Sequence, residues 1–272
     1  MLNKLFLMIS SILILTISLY CVQEQSSFPA ENGFDRSKSD PKALQVVDEM
    51  WESLGGKDNW QKIRFLSYHW IVEVNGEIRS DYRHDWDRYT NDYRVEGTSR
   101  DGQHFVAIFN TQTKAGDVFV DGTRVIEDST KSKWIERAYG RYINDSYWLI
   151  MPYKLNDPGV VLNYEGEKEV DSQVYDVVRV TFEGVGLTPE DTYWAYIGKT
   201  DRLMHKWEYL LQDQEAGTKP SGSWWKEWQT FGNIKLAMSK EFEGRPVRIY
   251  FEDLIASAKA DREIFQLTSK TF

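Results

Sequence analysis

The chain has 272 residues, with 33 Lys and Arg against 42 Asp and Glu and a formal net charge of −9. That acidic balance argues against nucleic acid or an anionic membrane surface as the main partner. A single cysteine, Cys21, excludes an intramolecular disulfide, so the fold must rest on its core. The aromatic content of 11 Trp, 15 Tyr and 13 Phe supplies large side chains for that core or for a binding face.

In chain order, Lys4 precedes an uncharged run from Leu5 to Tyr20 that ends at Cys21, which is the pattern of an export signal over residues 1–21. A lone Cys directly after such a run predicts a lipoprotein acylated on Cys21 and held to a membrane through it. Tyr20 is bulkier than the residues usual before a lipidated Cys, so plain secretion and an uncleaved anchor stand as alternatives. Loss of Lys4 with the leader would take the net charge to −10. Residues 22–40 are polar and Ser-rich and read as a linker, and 41–272 as a single domain.

Asp40 and Pro41 open a helix with Leu44, Val47, Met50, Trp51 and Leu54 on one stripe, ended by Gly55-Gly56. A short turn through Asn59 and Trp60 leads into alternation of period two. Leu66, Tyr68, Trp70, Val72 and Val74 lie on one face, and Asn75-Gly76 turns the chain back. The return strand places Tyr82, His84 and Trp86 opposite Asp81, Arg83, Asp85 and Asp87. Strand pairs follow around Arg100-Asp101-Gly102 and Asp121-Gly122. From Lys131 to just before Asp145, Trp134, Ile135, Ala138, Tyr139, Tyr142 and Ile143 predict a second helix with one face on the sheet. After Asn156-Asp157-Pro158-Gly159 come seven strands: 160–164, 174–182, 192–197, 203–211, 224–231, 234–242 and 247–257. The fold class is mainly β (α+β), a curved antiparallel sheet or half-barrel with helices against its inner, concave face.

Catalytic templates are absent: no nucleophile elbow, phosphate loop or zinc-protease helix occurs. His69, His84, His104 and His205 lie on four different strands, so no metal site and no cofactor is expected. Asp85 and Asp87 are expected on a solvated strand face with ordinary titration. The sharper constellation is aromatic. By strand parity Tyr68 pairs with Trp70, Tyr82 with Trp86, Trp194 with Tyr196, Trp207 with Tyr209, and Trp224 with Trp228. If these faces are concave, the ten residues line a cavity for an apolar ligand.

Tyr147-Trp148-Leu149-Ile150-Met151-Pro152-Tyr153-Lys154-Leu155-Asn156-Asp157-Pro158-Gly159, Gly184-Val185-Gly186-Leu187-Thr188-Pro189 and Tyr193-Trp194-Ala195-Tyr196 together resemble a family of exported bacterial proteins of unknown function. The domain of that family is similar to the lipoprotein-sorting LolA/LolB-like fold. The resemblance implies a half-barrel with helices as a lid over an apolar cavity, and no catalytic residue. The expectation is an exported, non-enzymatic protein, secreted or on the periplasmic side of a membrane, that binds a lipid or lipoprotein acyl chain. Two alternatives stay open: a module docking another envelope protein through its aromatic face, and an enzyme using His84 or His205 with a nearby carboxylate.

Overall fold

The computed structural model describes residues 33–183, 190–215, 217–269 and 271. The leader, Cys21 and the Gly184–Pro189 motif lie outside the described residues. From Phe34 onward the polar segment is docked: the Leu162 N–H donates to Ser39 Oγ at 2.9 Å, and Asp40 N–H donates to the Leu162 carbonyl at 2.9 Å. Asp40 does not cap the helix that follows; its carboxylate accepts the Tyr164 N–H instead.

Helix α1 (Pro41–Ser53) buries Ala43, Leu44, Val46, Val47, Met50 and Trp51. It ends where the spacing predicts, and for a steric reason. Gly55 has φ +111°, and a Cβ there would stand 2.0 Å from the Asn233 carbonyl oxygen, so only glycine fits. The expected turn at Asn59 and Trp60 is instead a short helix, α2 (Lys57–Lys62). Its Trp60 is stacked between Tyr153 at 4.1 Å and the Arg88 guanidinium at 3.6 Å. Tertiary packing of one indole thus holds a helix too short to be stable alone.

Strands β1 (Phe65–Val74), β2 (Glu77–Asp87), β3 (Asp92–Thr98), β4 (His104–Asn110), β5 (Gly116–Val120) and β6 (Thr123–Arg124) form a meander. Helix α3 (Asp128–Ile150) follows, longer than expected because Asp145, read as its end, is one of its buried interior residues. A second meander runs through β7 (Val160–Val170), β8 (Gln173–Phe182), β9 (Thr192–Gly198), β10 (Met204–Leu210), β11 (Ser221–Phe231), β12 (Ile234–Phe242) and β13 (Val247–Ser257). All pairings are antiparallel, and β1 pairs with β13, so the order β6-β5-β4-β3-β2-β1-β13-β12-β11-β10-β9-β8-β7 is one continuous open sheet. Its two edges, β6 and β7, are the strands that α3 connects.

Thirteen strands laid flat would span roughly 58 Å at their usual spacing, whereas a helix the length of α3 spans about 35 Å. Yet α3 packs Trp134 on Phe105 of β4, Tyr147 on Tyr193 of β9 and Trp207 of β10, and Trp148 on Trp225 of β11 and Phe242 of β12. The sheet therefore curves around the helix. The fold class is as expected, a curved antiparallel sheet with α1 and α3 against its concave face.

On the convex face, Asp85 and Asp87 are not solvated but buried, at 0% and 1% exposure. Arg64 reaches Asp87 through two of its nitrogens. Burial alone would raise the Asp87 carboxyl, but the hydrogen bonds from Arg64 and the Tyr89 N–H outweigh it and hold it below the ordinary range. Asp85 accepts from Ser67 Oγ at 2.7 Å and pairs with Arg94. The cover comes from far along the chain, where the Leu267 and Ser269 carbonyls accept from Arg94 and Thr271 donates to Glu96.

Lys240 of β12 is fully buried; its ammonium donates to the Ala237 carbonyl and sits 4.4 Å from the Trp225 ring and 4.3 Å from Phe251. Burial pushes it well below the ordinary lysine range, with Glu227 pulling weakly the other way. A lysine whose folded pKa is depressed makes stability rise with pH up to the unfolded value of 10.5. Lys240→Met is expected to stabilise by about 1–4 kcal/mol at neutral pH, with the gain shrinking as pH approaches about 10. Urea midpoints at the two pH values test this; a destabilised variant would mean that the ammonium–ring contacts outweigh desolvation.

Candidate functional site

Trp134, Arg137, Arg141 and Asp145 recur at three and four residues along α3 and so form one stripe of that helix. With Gly140 and Asn144 they form one wall of a cleft of about 510 Å³. The other wall is Tyr82 of β2, Phe105 of β4 and the turn Ser99, Arg100 and Asp101. The floor is aromatic: Tyr82 and Phe105 have ring centres 6.1 Å apart, and Phe105 and Trp134 5.2 Å.

The Arg141 guanidinium lies 4.0 Å over the Tyr82 ring and donates to the Tyr82 hydroxyl at 3.3 Å. That hydroxyl in turn donates to the Thr98 carbonyl. Arg141 also faces Asp145 at 3.7 Å. Behind it, Asp145 Oδ2 stands 3.3 Å from His84 Nε2, and both residues have no exposure. Tyr93 Oη lies 2.7 Å from His84 Nδ1, and Tyr68 stacks on the imidazole at 5.0 Å. Burial pushes the Tyr93 phenol well up, and the neighbouring Tyr68 and Asp145 reinforce it. Tyr93 Oη and His84 Nδ1 thus share one hydrogen bond, and Asp145 faces the other ring nitrogen at ion-pair distance. The chain Tyr93–His84–Asp145–Arg141 ties β3 and β2 to α3 and closes the deep end of the cleft.

Each histidine takes one carboxylate: His69 with Asp81, His84 with Asp145, His104 with Glu96 and His205 with Asp201. Among the described residues no three His, Cys, Asp or Glu gather as a metal-ligand set. His84 does have the nearby carboxylate that an acid–base reading needs, but it is sealed beneath α3. Asp201 sits in the turn before β10 and His205 at the start of that strand, both partly exposed.

The structure divides the ten aromatic candidates between two faces. Tyr68, Trp70, Tyr82, Trp86 and Trp207 are buried in the concave core, with Tyr209 and Trp228 half-buried against it. Tyr196 belongs to a separate cluster with Tyr175 and Val177, against which Trp194 and Trp224 pack. This is the convex face, since Tyr196 and Trp224 both pair with Lys206 while the neighbouring Trp207 points inward. Trp224 and Trp228, expected together, are thus separated: between them Glu227 takes a left-handed φ of +57° that breaks the alternation. Of the ten, Tyr82 alone lines the cleft. The arginines and Asp145 were missed, although Arg141 and Asp145 are at the spacing of an intrahelical ion pair.

Fold and site together define an open antiparallel half-barrel wrapped around one long helix, with a cleft between that helix and the sheet. The chain belongs to a family of unknown function, DUF6503, which matches residues 80–232, more than half of its length. The family suggested by the Tyr147–Gly159 motif is likewise one of unknown function. No curated protein matches the chain. Among solved structures it is similar in fold to a DUF1329 family protein from Desulfovibrio piger, with 12% identity and a TM-score of 0.46 over 84% of this chain and 98% of that one. It is also similar to a putative outer membrane lipoprotein-sorting protein domain from Vibrio parahaemolyticus, at 13% identity and TM-score 0.46 over 82% and 96%. A LolA superfamily protein from Nitrosomonas europaea is similar at 8% identity and TM-score 0.44 over 82% and 97%.

Proposed function

We propose that this is an exported cell-envelope protein that binds an apolar ligand, a lipid or lipoprotein acyl chain, without catalysing a reaction on it. The observation that carries the reading is the cleft beneath α3, floored by Tyr82, Phe105 and Trp134. Its volume lies within the range of about 300–1,000 Å³ usual for small-ligand sites. The rest of the concave aromatic face is packed against α1 and α3, so Trp70 and Trp207 serve the core rather than an open cavity. Burial of hydrocarbon on the floor would drive binding, at roughly 25 cal/mol per Å² before ordering costs.

His84 and Asp145 have the composition of an acid–base pair, yet His84 is sealed beneath α3 and lines no part of the cleft, so the pair is not presented to a bound ligand. The reading places residues 1–21 as an export signal, Cys21 as the point of lipid attachment and 41–272 as one domain. A second surface supports a role in docking another envelope protein: the half-buried Trp194 and Trp224 on the convex face.

The test is mass spectrometry of organic extracts of the protein purified from the envelope under native conditions. A stoichiometric lipid is expected. A protein that is empty, and still empty after incubation with envelope lipids, would sink the reading and direct attention to the convex aromatic surface.

A further inference from the structure

The cleft carries a charge pattern opposite to that of the molecule. On a chain of net charge −9, three guanidinium groups, those of Arg100, Arg137 and Arg141, line one opening. Arg141 is committed to Tyr82 and Asp145. Arg100 and Arg137 are exposed, and among the described residues neither has a carboxylate partner. Arg137 rests over the Trp134 ring at 5.3 Å, which orients it beside the aromatic floor. Of the two acids at the cleft, Asp145 is buried and already faces His84 and Arg141, which leaves Asp101 as the exposed one. A planar guanidinium is the side chain best matched to the paired oxygens of a carboxylate or phosphate.

Gly140 is an independent observation. It lies in the interior of a 23-residue helix, where glycine is a poor helix former. A Cβ built on it meets nothing within 4 Å, so packing does not require its absence. Gly140 is a cleft residue, and its missing side chain keeps the opening clear between Arg137 and Arg141.

We propose that the cleft selects an anionic amphiphile, a hydrocarbon chain ending in a carboxylate or phosphate. The chain would lie on Tyr82, Phe105 and Trp134, and the head would be held by Arg100 and Arg137 with Arg141 behind them. This rests on the reading that the protein binds an apolar ligand, and adds which end of the ligand is recognised.

The test compares decanoate, decyl phosphate and decanol, three ligands of equal chain length, by titration calorimetry on the purified protein. Both anions are expected to bind at least about tenfold more tightly than the alcohol, with the gap narrowing as salt is raised. A lead for decyl phosphate points to a phospholipid-type source and a lead for decanoate to a free fatty acid; either supports the proposal. Equal affinity for all three overturns it while leaving apolar binding intact, and no binding of any overturns both. The double variant Arg100→Gln/Arg137→Gln is expected to lose the anion preference and keep its affinity for decanol; a preference that survives refutes the assignment. Gly140→Leu, which has room for its side chain, is expected to abolish binding of all three at an unchanged or raised melting temperature. Full binding by that folded variant places the ligand elsewhere and overturns the proposal.

Discussion

Asp145→Ala is expected to lower stability by about 1–3 kcal/mol, the usual cost of leaving a buried hydrogen-bonding group without its partner. Asp145 has no exposure, and its carboxylate is the group that α3 presents to His84 on β2. Alanine would leave His84 Nε2 facing a void, because Tyr93 occupies the other ring nitrogen and Tyr68 covers the ring face. Arg141 would lose its acidic partner at the same time. The loss is a large fraction of the roughly 5–15 kcal/mol that holds a typical domain together. Asp145→Asn keeps the shape and an acceptor oxygen, so its cost should be smaller. Urea unfolding of the two variants measures both, and amide exchange locates the effect. Protection should fall first in α3, since the pair is one of its ties to β2. A loss below about 1 kcal/mol for the alanine variant would show that the ring contacts of Trp134, Tyr147 and Trp148 hold α3 without it.

Where local chemistry decides the conformation, the fold is legible from residues alone. Asn75-Gly76 and Asp121-Gly122 both take left-handed φ in the pairs that signal a tight hairpin, and each reverses the chain where expected. Val247–Ser257 and Ile234–Phe242 begin and end at the residues that alternation marks. Legibility fails where a surface is covered by something distant. Asp85 alternates with inward-facing His84 and so reads as solvated; the Arg94 that pairs with it is itself bound by chain from Leu267 onward, which no local pattern announces. The same limit applies to the site. Parity groups Trp70 with Tyr68 and Tyr82 with Trp86, but cannot say that these rings would be filled in by α1 and α3. Asp145 reads as a helix end because a charged residue interrupts an apolar stripe, whereas the structure supplies it with a histidine from a strand 61 positions earlier in the chain.

The convex polar cluster supports the second large expectation, that Arg94→Leu costs about 3–5 kcal/mol at neutral pH. Arg94 is wholly buried and lies between two wholly buried acids, pairing with Asp85 at 3.3 Å and Glu96 at 2.5 Å. Leucine would leave both carboxylates in a dry site with one cation fewer. The pH dependence should then change character. In the native protein burial alone would raise the Glu96 carboxyl, but the hydrogen bonds from Thr271 and from Arg94 overcome it and hold the group below its ordinary 4.5. A carboxyl with a lowered folded pKa contributes stability above the unfolded value and loses it as pH falls through the folded one. Without Arg94 the Glu96 carboxyl stays buried but loses its arginine partner, so protonation relieves the variant and harms the native protein. The difference in unfolding free energy between the two should therefore shrink from pH 7 to about pH 4. A chain ending at Arg262 offers a separate check, since it removes the Leu267 and Ser269 acceptors and both Thr271 hydrogen bonds while keeping Arg94. It should be less stable at neutral pH and give up less on acidification, because Glu96 has then lost the partners that lowered it. A difference that is constant across this range would mean that Asp85 and Glu96 are solvated once the cover is disturbed, and that the tail is a lid over hydrated charge rather than part of the core.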